Sequence, residues 1–190
     1  AQFNLGVLYA EGRGVAQDYG QARAWFEKAA AQDDAQAQYN LGVLYYKGKG
    51  VTQDYEQARA WYEKAAVQDL APAQCDLGVL YNKGQGVAQD YGQARTWYEK
   101  AATQGHAPAQ NNLGALYAEG KGVTQDYGQA RSWYEKAAAQ DFAPAQYNLG
   151  ALYYNGEGVP HDISKAREWL EKAAAQGDES AKAALQKLGK

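Results

Sequence analysis

The sequence predicts an all-α protein, a solenoid of five helix–turn–helix repeats of 36 residues with a capping helix at its C-terminal end. A Trp-(Tyr/Phe/Leu)-Glu-Lys-Ala motif recurs five times at a spacing of 36 residues, and its copies use all five tryptophans. A Leu-Gly pair recurs with the same period, which is typical of helical repeat proteins. The predicted repeats are 1–36, 37–72, 73–108, 109–144 and 145–180, with a cap at 181–190, in a single solenoid domain 1–190.

Each repeat contains two apolar helical faces joined by a glycine-rich loop. In the second repeat, Leu41 and Leu44 fall on one helical face and Gly48 is the expected end of that helix. Asp54 precedes the second helical run, where its carboxylate can accept a hydrogen bond from a first-turn amide. Helices of about 12 residues are marginal alone in water, so stacking of the repeats is expected to stabilise them.

The C-terminal tail predicts the end of the stack. It begins like another first helix, with Ala181, Leu185 and Leu188 at the apolar positions. Lys182, Gln186 and Lys187 stand where a further repeat would have apolar or small residues. A polar outer face of this kind is typical of a capping helix.

The composition excludes several classes of protein. The net charge of -3 argues against a nucleic-acid-binding protein, which would show an excess of basic residues. The single cysteine, Cys75, excludes a disulfide framework and a multi-cysteine zinc site. No apolar run approaches the roughly 20 residues of a transmembrane helix. Because the chain starts at Ala1 and not at Met, we expect this end to be processed or cut.

No pattern in the sequence predicts catalysis. The Gly-x-Gly at Gly48 and Gly50 follows a helix and lacks a preceding strand, so it is interpreted as a cap and turn. His106 and His161 have no periodic partners, and no Ser–His–Asp or paired-carboxylate constellation stands out. We therefore expect no enzyme activity, no catalytic or metal site and no cofactor.

The tyrosines separate into a repeated set and a remainder. Twelve of the sixteen occupy repeated positions on apolar faces and are predicted to pack in the core. These are Tyr9, Tyr45, Tyr81, Tyr117, Tyr153, Tyr19, Tyr55, Tyr91, Tyr127, Tyr62, Tyr98 and Tyr134. The other four form two pairs, Tyr39/Tyr46 and Tyr147/Tyr154, on a different face of the first helix. Exposed rings beside amides suit peptide recognition, because they bury much area at a low cost in entropy.

This remaining face is the predicted binding groove. Its candidate residues are Phe3, Asn4, Tyr39, Asn40, Val43, Tyr46, Lys47, Asp76, Val79, Asn82, Lys83, Asn111, Asn112, Tyr147, Asn148 and Tyr154. The fourth position of each repeat is a row of amides interrupted by Asp76. Two interpretations of the row stay open: the amides bind an extended peptide backbone, or each one bonds a neighbouring helix. Lys47, Lys49 and Lys83 in or beside the middle of this face suggest a partner with an acidic centre.

The run Ala-Gln-Tyr-Asn-Leu-Gly-Val-Leu-Tyr-Tyr-Lys-Gly-Lys-Gly-Val-Thr-Gln-Asp-Tyr at 37–55, followed by Ala58, Trp61, Ala65 and Ala66, resembles the Sel1-like repeat (SLR) family. This family is related to the tetratricopeptide repeat and has a longer loop between its helices. The resemblance implies a right-handed superhelix with the first helices lining a concave groove. It also implies an adaptor or scaffold role in bacteria, often in exported or periplasmic proteins. The paired cysteines of many relatives are missing here.

We therefore expect a protein-interaction scaffold that binds a peptide or protein segment in this groove. A carbohydrate or cell-wall binding module is one alternative, since tyrosine and asparagine also suit sugars. A self-assembling repeat protein is another, because the first repeat begins without a polar cap and places Phe3 and Leu5 at the chain start. Weak self-association through that repeat is expected in this case.

Overall fold

The computed structural model describes residues 1–188, and these form eleven α-helices without a β-strand. The helices are α1 (Gln2–Glu11), α2 (Tyr19–Ala30), α3 (Ala35–Lys47), α4 (Tyr55–Ala66), α5 (Ala71–Lys83), α6 (Tyr91–Thr103), α7 (Ala107–Glu119), α8 (Tyr127–Ala138), α9 (Ala143–Asn155), α10 (Ile163–Ala175) and α11 (Glu179–Leu188). The prediction of an all-α chain of five helix pairs and a terminal helix is confirmed. The first helices of repeats two to five begin two residues before the predicted repeat boundaries.

The helices form two compact units, Ala1–Ala101 and a second unit that begins at Ala102. In the first unit, each of the helices α1 to α4 packs against the next helix along the chain. The same sequential packing joins α7 to α8, α8 to α9, α9 to α10 and α10 to α11 in the second unit. The paired helices therefore bury their apolar faces against each other within each unit. The extent of a single domain over 1–190 stays a prediction.

The glycine of each Leu-Gly pair lets two helices approach closely. A Cβ atom at Gly42 would lie 2.5 Å from Cδ1 and Cε1 of Tyr62, the large residue that α4 presents to α3. Tyr62 is 2% exposed, and its counterparts Phe26, Tyr98, Tyr134 and Leu170 are likewise buried. The ring can lie on the first helix only because no side chain projects there.

Most of the twelve repeated tyrosines are less buried than predicted. Tyr62, Tyr98 and Tyr134 are core residues, whereas the other nine are half-buried. Tyr55 is an example. It is the first residue of α4, and its ring packs edge-on with the ring of Tyr46, at a centroid distance of 5.4 Å. Alanine supplies much of the buried surface instead, which permits close packing of the helices.

The loop of each repeat is closed by local hydrogen bonds. Gly48 takes a left-handed conformation (φ 64°) after α3, and the Asp54 amide donates to the Tyr45 carbonyl at 3.0 Å. Asp54 then caps α4, because its Oδ1 accepts from the Gln57 amide at 2.9 Å. The Gly-x-Gly motif is thus part of a helix stop and a turn.

Helix α11 covers the end of the second unit. Ala181 is fully buried, and Leu185 and Leu188 pack against the cluster that contains Leu170. Lys182 is exposed, as a polar outer face requires. Positions 189 and 190 of the predicted cap lie outside the described residues. None of the described helices has the length and apolar character needed to cross a membrane.

Candidate functional site

The third and fourth positions of consecutive repeats face each other. The Tyr39 hydroxyl donates a hydrogen bond to Oδ2 of Asp76, 37 residues later, at 3.1 Å. Nδ2 of Asn148 donates to Oδ1 of Asn111, also 37 residues away, at 2.9 Å. These pairs link α3 to α5 and α7 to α9. The side chains that were predicted to face a ligand therefore also hold consecutive first helices in register.

The asparagine row has a structural role at two of its positions. Asn148 bonds the preceding repeat, as described above. Asn40 donates to the Gln36 carbonyl of its own helix at 2.8 Å. Asn148 therefore fits the interpretation in which the amides bond a neighbouring helix, whereas Asn40 bonds its own helix.

A cavity of about 260 Å³ opens where α3, α4 and α5 meet in the first unit. We call it the Asp76 cavity. It is lined by Tyr39, Val43, Tyr46, Lys47, Tyr62, Asp76 and Val79. Helix α3 contributes four of these residues from its predicted groove face. The Asp76 cavity therefore combines three tyrosine rings with one carboxylate and one ammonium group.

Packing holds the three rings of the Asp76 cavity in place. The rings of Tyr39 and Tyr62 lie 5.7 Å apart with an interplanar angle of 32°. The Tyr46 hydroxyl donates to Oε1 of Gln85, in the loop after α5, at 3.4 Å. Rings that are held at both ends lose little entropy when they bind a ligand.

Burial controls the electrostatics of the Asp76 cavity. It raises the pKa of the Asp76 carboxyl, while hydrogen bonding from Tyr39, the charge of Lys47 and hydrogen bonding from Tyr62 act in the opposite direction. Burial and the nearby Asp76 carboxylate raise the pKa of both Tyr39 and Tyr62, so their hydroxyls remain neutral donors at physiological pH. Among the described residues, no Lys or Arg side chain comes within ion-pairing distance of Asp76.

A second cavity, of about 430 Å³, opens where α9, α10 and α11 meet in the second unit. We call it the Lys187 cavity. It is lined by Tyr147, Ala151, Tyr154, Asn155, Leu170, Ser180, Ala183, Ala184, Lys187 and Leu188. Tyr154 is 48% exposed. The cap helix therefore forms one wall of this cavity.

The two cavities occupy the same place in the repeat. Each residue that lines the Asp76 cavity has its counterpart, three repeats later, in the lining of the Lys187 cavity. Two tyrosines are retained, as Tyr39/Tyr147 and Tyr46/Tyr154. The other pairs change chemistry, and they are Val43/Ala151, Lys47/Asn155, Tyr62/Leu170, Asp76/Ala184 and Val79/Lys187. The first cavity thus contains a partly buried carboxylate, whereas its counterpart has no carboxylate and has Lys187 in its lining.

The two cavities bring together half of the predicted groove residues. Tyr39, Val43, Tyr46, Lys47, Asp76 and Val79 line the first cavity, and Tyr147 and Tyr154 line the second. The other eight lie outside both linings: Phe3, Asn4, Asn40, Asn82, Lys83, Asn111, Asn112 and Asn148. Phe3 packs instead against Phe26, with ring centroids 5.8 Å apart.

The lining residues that were not among the predicted groove residues include Tyr62 of the first cavity and Lys187 of the second. Tyr62 was assigned to the core and Lys187 to the outer face of the cap. The hydroxyl of Tyr62 could have indicated a role beyond packing, because Phe26 and Leu170 at the equivalent position show that an apolar side chain is sufficient there. A buried tyrosine hydroxyl usually has a hydrogen-bond partner. Lys49, placed beside the groove, has its Nζ 3.1 Å from the Tyr19 hydroxyl.

Comparison with known families places the repeats in one family. The Sel1 repeat model matches residues 1–34, 35–69, 71–106, 107–142 and 143–178. A comparison with curated protein sequences returned no match.

Solved structures give the same result. A Sel1 repeat protein from Oxalobacter formigenes is 36% identical, with a TM-score of 0.91, over 95% of this chain and 72% of that one. A protective antigen of uropathogenic Escherichia coli with an SLR fold is 40% identical, with a TM-score of 0.87, over 95% of this chain. The match spans 38% of the antigen's length. An immunity protein from Pseudomonas aeruginosa is 27% identical over 94% of this chain and 68% of its own, with a TM-score of 0.65. The chain therefore belongs to the Sel1 repeat family.

Proposed function

We propose that the chain is a protein-interaction module that binds a peptide or protein segment on its first-helix face. In this proposal, partner side chains enter the Asp76 cavity and the Lys187 cavity. The observation that carries it is the pair of cavities at one place of the repeat, with retained tyrosines and exchanged charges. Sel1 repeat proteins generally act as protein-interaction scaffolds, and their fold is typically non-catalytic.

The chemistry of the cavities favours a peptide as the ligand. Tyrosines present large apolar faces with a polar edge, and such residues dominate binding energy in protein interfaces. Cavities at equivalent positions but with different charged groups can select different side chains of a partner. The amides of Asn40 and Asn148 already donate hydrogen bonds within the protein, so the proposal relies on the rings and charges of the cavities.

The experiment is a selection from a random peptide library on the immobilised full chain, followed by affinity measurements with the selected peptides. Replacing Tyr154 or Tyr46 by alanine should weaken binding by at least about tenfold, the size typical of a central aromatic contact. Val67→Ala is the control, because Val67 is 73% exposed and follows α4 outside both cavities. Circular dichroism of each variant checks that helicity is retained.

Three outcomes would contradict the proposal. The first is selected peptides that bind the Tyr46 and Tyr154 variants as tightly as the unmodified chain. The second is a library without ligands combined with specific signals on a glycan array, which would favour the carbohydrate alternative. The third is concentration-dependent sedimentation that Leu5→Ser abolishes, in the absence of peptide ligands. Leu5 is 37% exposed, so that result would favour self-assembly.

A further inference from the structure

We propose that the Asp76 cavity is the subsite for a cationic side chain, an arginine or a lysine, of the bound segment. This inference rests on the function proposed above and names the chemistry that one of its cavities selects. It concerns a single position of the partner.

The carboxylate of Asp76 favours a positively charged partner side chain in this cavity. It is partly buried and accepts hydrogen bonds from Tyr39, at 3.1 Å, and from Tyr62. An ionised carboxylate can accept about four hydrogen bonds, so acceptor capacity remains. A buried charge without a counter-ion is costly, and an incoming cation would remove this cost.

The walls of the Asp76 cavity also suit a cation. The rings of Tyr39, Tyr46 and Tyr62 line the cavity, and the face of a tyrosine attracts a cation electrostatically. A guanidinium group is planar, so it can stack on a ring while it donates two hydrogen bonds to one carboxylate. We therefore expect arginine to bind more tightly than lysine.

Lys47 is the one residue of the lining whose charge would repel a cationic side chain. Its side chain is exposed, and its charge lowers the pKa of Asp76 without an ion pair between them. The expectation of an acidic partner came from lysines on this face. In the structure, Lys47 is exposed, whereas Asp76 is partly buried. Removing the Lys47 charge should therefore strengthen the binding of a cation.

The repeats supply matched substitutions for a test. Asparagine occupies the position of Asp76 in the other four repeats, so Asp76→Asn is a change that the fold already accommodates. Asparagine also occupies the position of Lys47 in repeat five, as Asn155. The Lys187 cavity is an internal control, because it lies at the equivalent place in the repeat and has Ala184 in place of the carboxylate.

The experiment is an NMR titration of the full chain with Nα-acetyl-arginine methylamide and with its neutral isostere, Nα-acetyl-citrulline methylamide. We expect the arginine compound to shift amide signals around Tyr46 and Asp76 and the citrulline compound to leave them unchanged. Asp76→Asn should weaken the binding of the arginine compound at least about tenfold, which corresponds to about 1.4 kcal/mol of binding free energy. Lys47→Asn should strengthen its binding. Far-UV circular dichroism confirms the folding of both variants.

Equal binding of the two compounds would overturn the inference. Unchanged affinity of a folded Asp76→Asn variant, or shifts centred on the Lys187 cavity, would do so as well. Library peptides without a basic position, together with no effect of arginine, would overturn this inference and leave the proposed function standing. A library without ligands, together with arginine binding at Asp76, would instead overturn the proposed function.

Discussion

The contact between Gly42 and Tyr62 positions one ring of the Asp76 cavity, and Gly42→Ala tests it. The new Cβ would lie 2.5 Å from two ring carbons, about 1 Å closer than the lower end of optimal carbon–carbon separations, about 3.5 Å. The ring of Tyr62 is buried against Tyr39 and cannot swing into solvent. Helices α3 and α4 must therefore move apart, or the ring must leave its position.

The size of the effect follows from two opposing contributions. Overpacking of a well-packed core costs about 1–3 kcal/mol, and two obstructing ring carbons favour the upper end of this range. In the opposite direction, alanine in a helix interior is more stabilising than glycine by up to about 1 kcal/mol. We expect a net loss of about 1–2 kcal/mol, which lowers the Tm of a chain of this size by about 2–8 °C. Displacement of Tyr62 should also weaken arginine binding in the Asp76 cavity.

Gly128→Ala is the matched control in the same thermal unfolding assay. Gly128 lies exposed in the first turn of α8, and a Cβ there would meet only Oδ1 of Asp126, at 3.2 Å. The equivalent position of repeat two carries Glu56, so the turn accepts a side chain. We expect an unchanged or slightly higher Tm. A Gly42→Ala variant as stable as the unmodified chain would refute the packing argument.

Two further predictions concern the charges of the chain. Burial raises the pKa of Asp76 in the folded chain above its pKa in the unfolded chain, which is about 3.9. The protonated carboxyl therefore contributes its full stabilisation below the unfolded pKa. This contribution is lost as the pH rises through the folded pKa. At pH 7, the unfolding free energy of the Asp76→Asn variant should therefore equal or exceed that of the unmodified chain. Near pH 4, any gain in stability should disappear. Urea denaturation that shows the opposite trend would contradict this. Asp126→Ala removes the acceptor of the Gln129 amide, 2.9 Å away, and should cost about 0.5–2 kcal/mol. Asp126→Asn should retain most of that stability in thermal unfolding, and equal losses in both variants would argue against a capping role.

The sequence was sufficient for features that depend on residues close together along the chain. The left-handed Gly48 after α3 and the cap of α4 by Asp54 involve partners within a few residues. The repeat period also separated Tyr39 and Tyr46 from the scaffold, because their face varies more among repeats than the core face does. Local hydrogen bonding and helical periodicity carry this information, and neither requires knowledge of the packing.

Only the tertiary structure decided what the remaining face contains. The pairing of Tyr39 with Asp76 spans 37 residues and depends on how closely two first helices stack. Tyr62 and the exposed Lys187 line the cavities, although sequence reasoning had placed them in the core and in the cap. Helical periodicity indicates the direction of a side chain from its own helix. The distance to the neighbouring helix depends on the volumes of the side chains between them, such as the missing one at Gly42.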